Sequence, residues 1–346
     1  MAEKVIKSYK GFDSSLSCRD FQYEVGKEYE MDGRIKCCKR GFHACESPLE
    51  VFDHYDMLKS RFAEVEQSGI IDREDNSTKV CSSHIKIKAE LKLADIINIG
   101  VEWLKDITSP SKVKTDSSLI DNGERGKQIG SSGNYAQIGS SGDYAKIGSS
   151  GNYAQIGSSG DYAKIGSSGY SAQIGSSGNY AQIGSSGYSA KIGSSGDYAQ
   201  IGSSGDYAQI GSSGNYAQIG SSGNYAQIGS SGNYAKIGSS GYSAQIGSSG
   251  NYAQIGSSGD YAKIGSSGDY AQIDSTGVDS VIMCAGYKSK AKAKIGSWIT
   301  LAEWVYNDKK GSYVPVCVKT EYVDGENIKA DTYYQLIDSV FTEVNE

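Results

Sequence analysis

Proline is nearly absent from this 346-residue chain, with 3 in all, and histidine is as scarce, also at 3. So little proline beside 45 glycines excludes a Pro/Gly-rich disordered linker as the main body. Glycine does not recur at every third residue, as collagen requires. No apolar run reaches the length of a membrane-spanning helix, and the opening MAEKVIKSYKGF has no apolar core of the secretory kind. Strong charge is missing too: a net charge of −6 is mild and argues against a basic field that would capture nucleic acid or an anionic membrane. The 7 cysteines include the adjacent pair Cys37-Cys38 but no C-x-x-C, so they read as reduced thiols rather than a disulfide framework. These absences predict a cytoplasmic protein with no nucleic-acid or membrane partner.

What is present is a repeat. From Ile129 to Ile273 an isoleucine falls at every ninth position, and the sixteen complete copies read G-S-S-G-[N/D]-Y-A-[Q/K]-I. A fixed period of this kind decides fold class before any local propensity does. Within Tyr135-Ala136-Gln137-Ile138, Ala and Ile lie two apart and point to one side of a strand, Tyr and Gln to the other. The slot after Ala accepts Gln or Lys (Lys146, Lys164, Lys191, Lys236, Lys263), as a solvated position can. The G-S-S-G segments then read as turns in which glycine supplies positive φ. One strand and one turn per nine residues predict a coil of two copies, or eighteen residues. In three copies Tyr-Ser replaces N/D-Y, at Tyr170, Tyr188 and Tyr242, and these are separated by multiples of eighteen. Sixteen copies make eight coils, a rod of ~38 Å.

The expected fold is mainly β: a central parallel β-solenoid flanked by a small α+β N-terminal domain and a β-rich C-terminal cap. Residues 1–115 form the first domain and 116–128 a linker or N-cap. Residues 129–291 form the solenoid with its terminal capping coil, and 292–346 the C-terminal domain. In the first domain, Ser47-Pro48-Leu49-Glu50-Val51-Phe52 predicts a helix start, and the alternation Ile85, Ile87, Ala89, Leu91 predicts a half-buried strand. Residues 93–107 have helical spacing. After the array Ile282 and Gly286 keep register while their neighbours diverge, as a capping coil should. Trp298 to Tyr306, Tyr313 to Val323 and Ile328 to Val344 read as strands joined by Lys-Lys-Gly and Asp-Gly turns.

Candidate chemistry is sparse. Cys37, Cys38, His43 and Cys45 form the densest cluster, but their spacing matches no zinc finger and a further ligand would have to come from Cys18 or Cys81. No metal and no cofactor are therefore expected. A Cys45 nucleophile with His43 or His84 lacks a nameable orienting acid. The array presents a ladder of outward tyrosines, among them Tyr135, Tyr144, Tyr153, Tyr162, Tyr180, Tyr198, Tyr207 and Tyr216, which suits recognition or simply stabilises the coils.

Several resemblances follow from these residues. The nonapeptide resembles the calcium-binding unit of repeats-in-toxin β-rolls in period and glycine placement, with Tyr in the slot of the liganding Asp, which implies the coil without the calcium. Its A-x-I-G signature resembles the β-roll heads of trimeric autotransporters. Tyr9-Lys10-Gly11-Phe12 with Gly41-Phe42-His43-Ala44-Cys45-Glu46-Ser47 is loosely similar to ADP-ribosyltransferases. That likeness implies a clasped nicotinamide, with Tyr9, His43 and Glu64 as candidate catalytic residues and Glu66 and Glu90 as other acids. Core packing of Phe12, Phe42 and Phe52 is the alternative. Tyr9–Phe12, Gly41–Asp53, Ala285–Lys292, Trp298–Trp304 and Val314–Gly325 together are similar to uncharacterised proteins of bacteriophages and gut Firmicutes. The expected function is that of a non-enzymatic phage-type interaction or sequestration protein, monomeric or a small homo-oligomer, that presents a rigid solenoid to a host protein or small ligand. An NAD-dependent transferase and a virion or surface component are the alternatives.

Overall fold

Two units divide the chain, Met1–Trp103 and Leu104–Glu346, in a computed structural model that describes residues 5–19, 21–55, 60–74, 77–92, 95–97, 99–100, 103, 119–121 and 123–345. No helix among the described residues is long and apolar enough to cross a membrane.

The first unit is built on β-strands: β1 (Ile6–Phe12), β2 (Ser17–Cys18), β3 (Phe21–Gln22), β4 (Glu28–Glu30), β5 (Phe42–Cys45), β6 (Arg61–Arg73) and β7 (Lys79–Leu91). The sheet runs β4-β7-β5-β1-β6, and β6 pairs with β7 as well, so the sheet closes on itself. Ile85 and Ile87 lie on its inner side with Phe12, Phe42 and Val65, as the alternation predicts, whereas Ala89 is exposed near the strand end. Phe52 is buried against Phe62, edge to face. The helix expected from Ser47 is a single 3₁₀ turn, Leu49–Asp53, with Pro48 rather than Ser47 at its N-cap. Ser47 is instead held by Thr78, whose hydroxyl accepts its N–H, and the same Thr78 binds the Glu50 carboxylate. Side-chain bonds across to a neighbouring strand replace the cap that would have propagated a helix. Of 93–107, the described residues 95–97, 99–100 and 103 are helical, and the rest lie outside the described residues.

The second unit is the solenoid. Strand β8 (Leu119–Asp121) precedes seventeen strands at nine-residue intervals, β9 (Gln128–Ser131) through β25 (Gln272–Ser275). They deal alternately into two parallel sheets, so each strand pairs with the strand eighteen residues away: Gln155 with Gln173, Ile156 with Ile174, Ser158 with Ser176. Strand β8 lies within the expected linker 116–128 and stacks parallel on Gln137–Ser140, Leu119 opposite Ile138. The coil is eighteen residues, and each sheet counts twelve strands including those of the cap.

Inside the array, Ala136 to Ala271 and Ile138 to Ile273 are at most 3% exposed and form one continuous core. The inward set has a third member that the turn reading missed. Each strand is Q/K-I-G-S, so the alternation Ala, Ile, Ser continues inward, and Ser158, Ser176, Ser203 and Ser212 are buried. Many of these serine hydroxyls have no hydrogen-bond partner among the described residues, Ser203 included. A buried unsatisfied hydroxyl costs about 1–3 kcal/mol. Ser203→Ala is therefore expected to be neutral or to stabilise the array by up to about 1 kcal/mol in equilibrium unfolding, and a loss above that would give the hydroxyl a partner.

The turns also differ from expectation. The repeat's glycines do not carry positive φ; tyrosine does, at +58° in Tyr135, Tyr144 and Tyr198, with serine taking over in the three Tyr-Ser copies (Ser171, Ser189, Ser243). A left-handed non-glycine residue costs about 1–2 kcal/mol. Two interactions offset that cost. Each Asn or Asp before the tyrosine accepts, through Oδ1, the N–H of the residue eighteen further on, as in Asn134 with Asn152 (3.0 Å) and Asp197 with Asn215 (2.7 Å). Only the shared Oδ1 is needed, which is why Asn and Asp interchange. The tyrosine rings then stack at 4.8–5.1 Å with planes within 3–7° in runs such as Tyr162–Tyr180–Tyr198 and in the pair Tyr135–Tyr153.

At the C-terminal end β26 (Val281–Cys284) and β27 (Lys290–Lys292) continue the two sheets in register, with Ile282 opposite Ile264. Strand β28 (Trp298–Asn307) extends one sheet and folds back antiparallel as β29 (Ser312–Tyr322). Strand β30 (Tyr334–Ile337) pairs antiparallel to β27 and turns through Asp338 and Ser339, both left-handed, into β31 (Val340–Glu343). Each parallel ladder thus ends in an antiparallel hairpin, which supplies the hydrogen bonds that the last coil would otherwise leave open.

Candidate functional site

The first unit holds a cleft of about 940 Å³. Both motifs singled out in the sequence reach it: Tyr9 to Phe12 from β1 and Gly41 to Cys45 from β5, strands joined where Tyr9 faces Cys45. Tyr55, which follows the 3₁₀ turn, and the β2–β3 segment add Tyr23, Cys18 and Arg19. The wall is aromatic and cationic: Arg19, Lys39, Arg40 and Lys79 line it with Lys10, and among the described residues Asp13 is the one acid in the lining.

Lys10 is the residue that sequence reading passed over. It is 3% exposed, and its hydrogen-bond partners among the described residues are neutral oxygens and sulfur. Nζ donates to the His43 carbonyl (3.1 Å) and the Tyr55 hydroxyl (3.3 Å) and lies 3.6 Å from the Cys18 sulfur. The rings of Phe12, Tyr23 and Tyr55 surround it at 5.3–5.7 Å. No carboxylate among the described residues pairs with it. Burial, partly countered by the Cys18 thiol, holds its pKa below the ordinary lysine value. Burial also raises the Tyr23 and Tyr55 hydroxyls. His43 is depressed to about 4, first by burial and then by the charges of Lys10, Lys79 and Arg19, so it is neutral at physiological pH.

Of the three candidate catalytic residues, Tyr9 and His43 line this cleft and Glu64 does not. Glu64 faces Tyr9 across the β1–β6 ladder and pairs with Lys7 at 2.9 Å. Glu66 pairs with Lys88 and Glu90 with Arg61. His84 bonds Ser83 and Glu30 rather than Cys45.

The tyrosines named from sequence sit at the coil edges, in turns rather than in strands, and they form two ladders. Tyr135, Tyr153 and Tyr207 belong to one; Tyr144, Tyr162, Tyr180, Tyr198 and Tyr216 belong to the other. Tyr170, Tyr188 and Tyr242 all fall on the first edge and keep it continuous, Tyr153 meeting Tyr170 edge to face and Tyr170 stacking on Tyr188. The second runs on into the cap through Tyr270, Tyr287 and Tyr313.

The two flat faces differ although their sequences match. On the sheet of Lys146–Ser149, the outward glycines Gly148, Gly166, Gly184 and Gly202 are exposed and floor a shallow groove of about 1360 Å³. It ends where Asp274 replaces glycine, pairs with Lys292 at 3.0 Å and abuts Tyr333. On the other sheet the matching Gly157, Gly175 and Gly193 are buried, and so is Lys191 at 5% exposure. Lys191 was expected in solvent with the other repeat lysines and is buried, whereas Lys146, Lys164, Lys236 and Lys263 are exposed.

Residues 6–99 match the model of a family described as a domain of unknown function (DUF7666). No curated protein matches the chain, and no solved structure does.

Proposed function

We propose that the chain is a binding protein: the cleft of the first unit takes a small anionic ligand with a flat ring, of the nucleotide class, and the solenoid is a rigid, periodic scaffold. The observation that carries this reading is Lys10, a cation taken out of water beside four further cationic residues, with no carboxylate among the described residues paired to it. An uncompensated buried ammonium is costly, and an anion entering the cleft would supply the missing charge while Phe12, Tyr23 and Tyr55 offer ring faces. The similarity to bacteriophage and gut Firmicutes proteins favours a host molecule as the source of that ligand. Tyr9 and His43 on the same wall favour NAD among nucleotides, and chemistry on it would need an acid other than Glu64 as placed here.

Calorimetric titration of the full chain with ADP, ADP-ribose and NAD, against adenosine and inorganic phosphate, tests the reading. The nucleotides should bind at least about tenfold more tightly than adenosine, a difference of ~1.4 kcal/mol. Lys10→Met should remove that preference while raising the thermal midpoint, because it deletes a buried charge without leaving a cavity. Equal heats for the variant and the parent, or no nucleotide binding, would sink the proposal. Incubation with labelled NAD separates binding from transfer.

A further inference from the structure

The cysteines of the first unit are not scattered thiols. We propose that Cys37, His43 and Cys81 form a binding site for one soft divalent cation of the zinc class. Their ligand atoms all lie within 4.8 Å of one another. Three donors on a tetrahedral zinc, at ~2.3 Å for sulfur and ~2.0 Å for nitrogen, stand roughly 3.5–3.8 Å apart. Side-chain adjustments of an ångström or less would close the set.

The backbone already holds the three in place. His43 on β5 and Cys81 on β7 are direct cross-strand partners, which puts their side chains on the same face of the sheet. Cys37 enters from the loop pinned by the Lys36–Arg40 bridge, and its N–H donates to Asp72 Oδ2 at 2.7 Å. Cys37 and Cys81 are both buried. Position 41 is fitted to the cluster: a Cβ on Gly41 would stand 2.2 Å from the Cys81 sulfur, at a φ of +131°. Glycine there leaves room for the thiol, and no other residue could without moving it.

The partners outside the set are of the kind a metal site needs. The Cys81 thiol donates to the Arg40 carbonyl (3.2 Å), the Cys37 thiol to the Asp72 carbonyl (3.4 Å), and His43 Nε2 accepts the Cys38 N–H (3.0 Å). The Nε2 lone pair faces the Cys38 N–H, so ligation through Nε2 would exchange that hydrogen bond for the metal. Binding would release two thiol protons to solvent. Two thiolates and a neutral imidazole would then balance the dication within the buried pocket. Three protein donors leave the fourth tetrahedral position to water.

Metal content of the full chain, expressed with zinc and purified without chelator, decides the question. About one zinc per chain is expected, with a thiolate-to-metal absorption after exchange for cobalt(II). Cys37→Ser, Cys81→Ser and Gly41→Ala should each lower the content at least about tenfold, as loss of a ligand or its room does. Cys317→Ser, in the other unit, should not. The wild-type measurement stands by itself should a variant fail to fold. Less than a tenth of a zinc per chain after equilibration with zinc, or a Cys37–Cys81 disulfide in the non-reducing peptide map, would overturn the site.

Discussion

Gly205→Ala is expected to destabilise the solenoid by at least about 3 kcal/mol, and Gly202→Ala, three residues earlier in the same repeat, by about nothing. The two glycines do different work. A Cβ at Gly205 would stand 2.0 Å from the carbonyl oxygen of Gly187 and 2.6 Å from its carbon, both backbone atoms of the preceding coil. No side-chain rotamer relieves a contact with backbone, so the coils must separate there. Separation breaks the local ladder: Ser204 N–H to Ser185 O, Ser189 N–H to Asp206 O and Gln209 N–H to Ala190 O. Three such bonds at about 1 kcal/mol each set the lower bound. At Gly202 a Cβ would meet nothing within 4 Å, and φ is not positive. An alanine there removes backbone freedom from the unfolded chain and could add roughly 0.5 kcal/mol. Urea unfolding of the two variants in parallel checks the pair; equal midpoints would mean that the coils are not packed at this spacing.

The same pair marks where sequence reading ran out. Period, coil length and the inward Ala and Ile were legible because they depend only on alternation and on which slots vary. The G-S-S-G segment was misread because its composition is that of a turn, yet Ser203 lies two residues beyond Ile201 and therefore points inward with it. Composition outvoted periodicity where periodicity was right. Glycine in this array is selected for close approach at Gly205 and for an open face at Gly202, not for φ. The left-handed role passed to tyrosine, which no propensity would nominate. In the first unit, both motifs that line the cleft were marked by their residues. The identity of the buried cation was not, since lysine is so seldom buried that Tyr9 drew the attention instead of its neighbour Lys10. Cys81 joins His43 only because β5 and β7 pair, a long-range fact that spacing along the chain cannot show. Glu64 has the opposite history: it is near Tyr9 in register and still outside the cleft.

Ile201→Asp should be the most damaging single change in the array, and its damage should be local. Ile201 is 3% exposed, stacked between Ile183 and Ile219 in the parallel ladder. A carboxylate there would have no cation within a core made of Ala, Ile and Ser, so it must either take up a proton or open the coil. A loss of more than about 4 kcal/mol is expected at neutral pH, partly recovered as the pH falls toward 5, because protonation removes the buried charge. Each coil contacts only its neighbours, so the disruption should not spread along the whole rod. Hydrogen exchange should show lost protection at Ile183, Ile201 and Ile219 and retained protection near Ile147 and Ile273. Gln200→Asp, one residue away on the exposed face, should change stability by less than about 0.5 kcal/mol. Comparable losses from Gln200→Asp and Ile201→Asp would mean that the strand has no inside, and the coil stack on which both sheets depend would have to be abandoned.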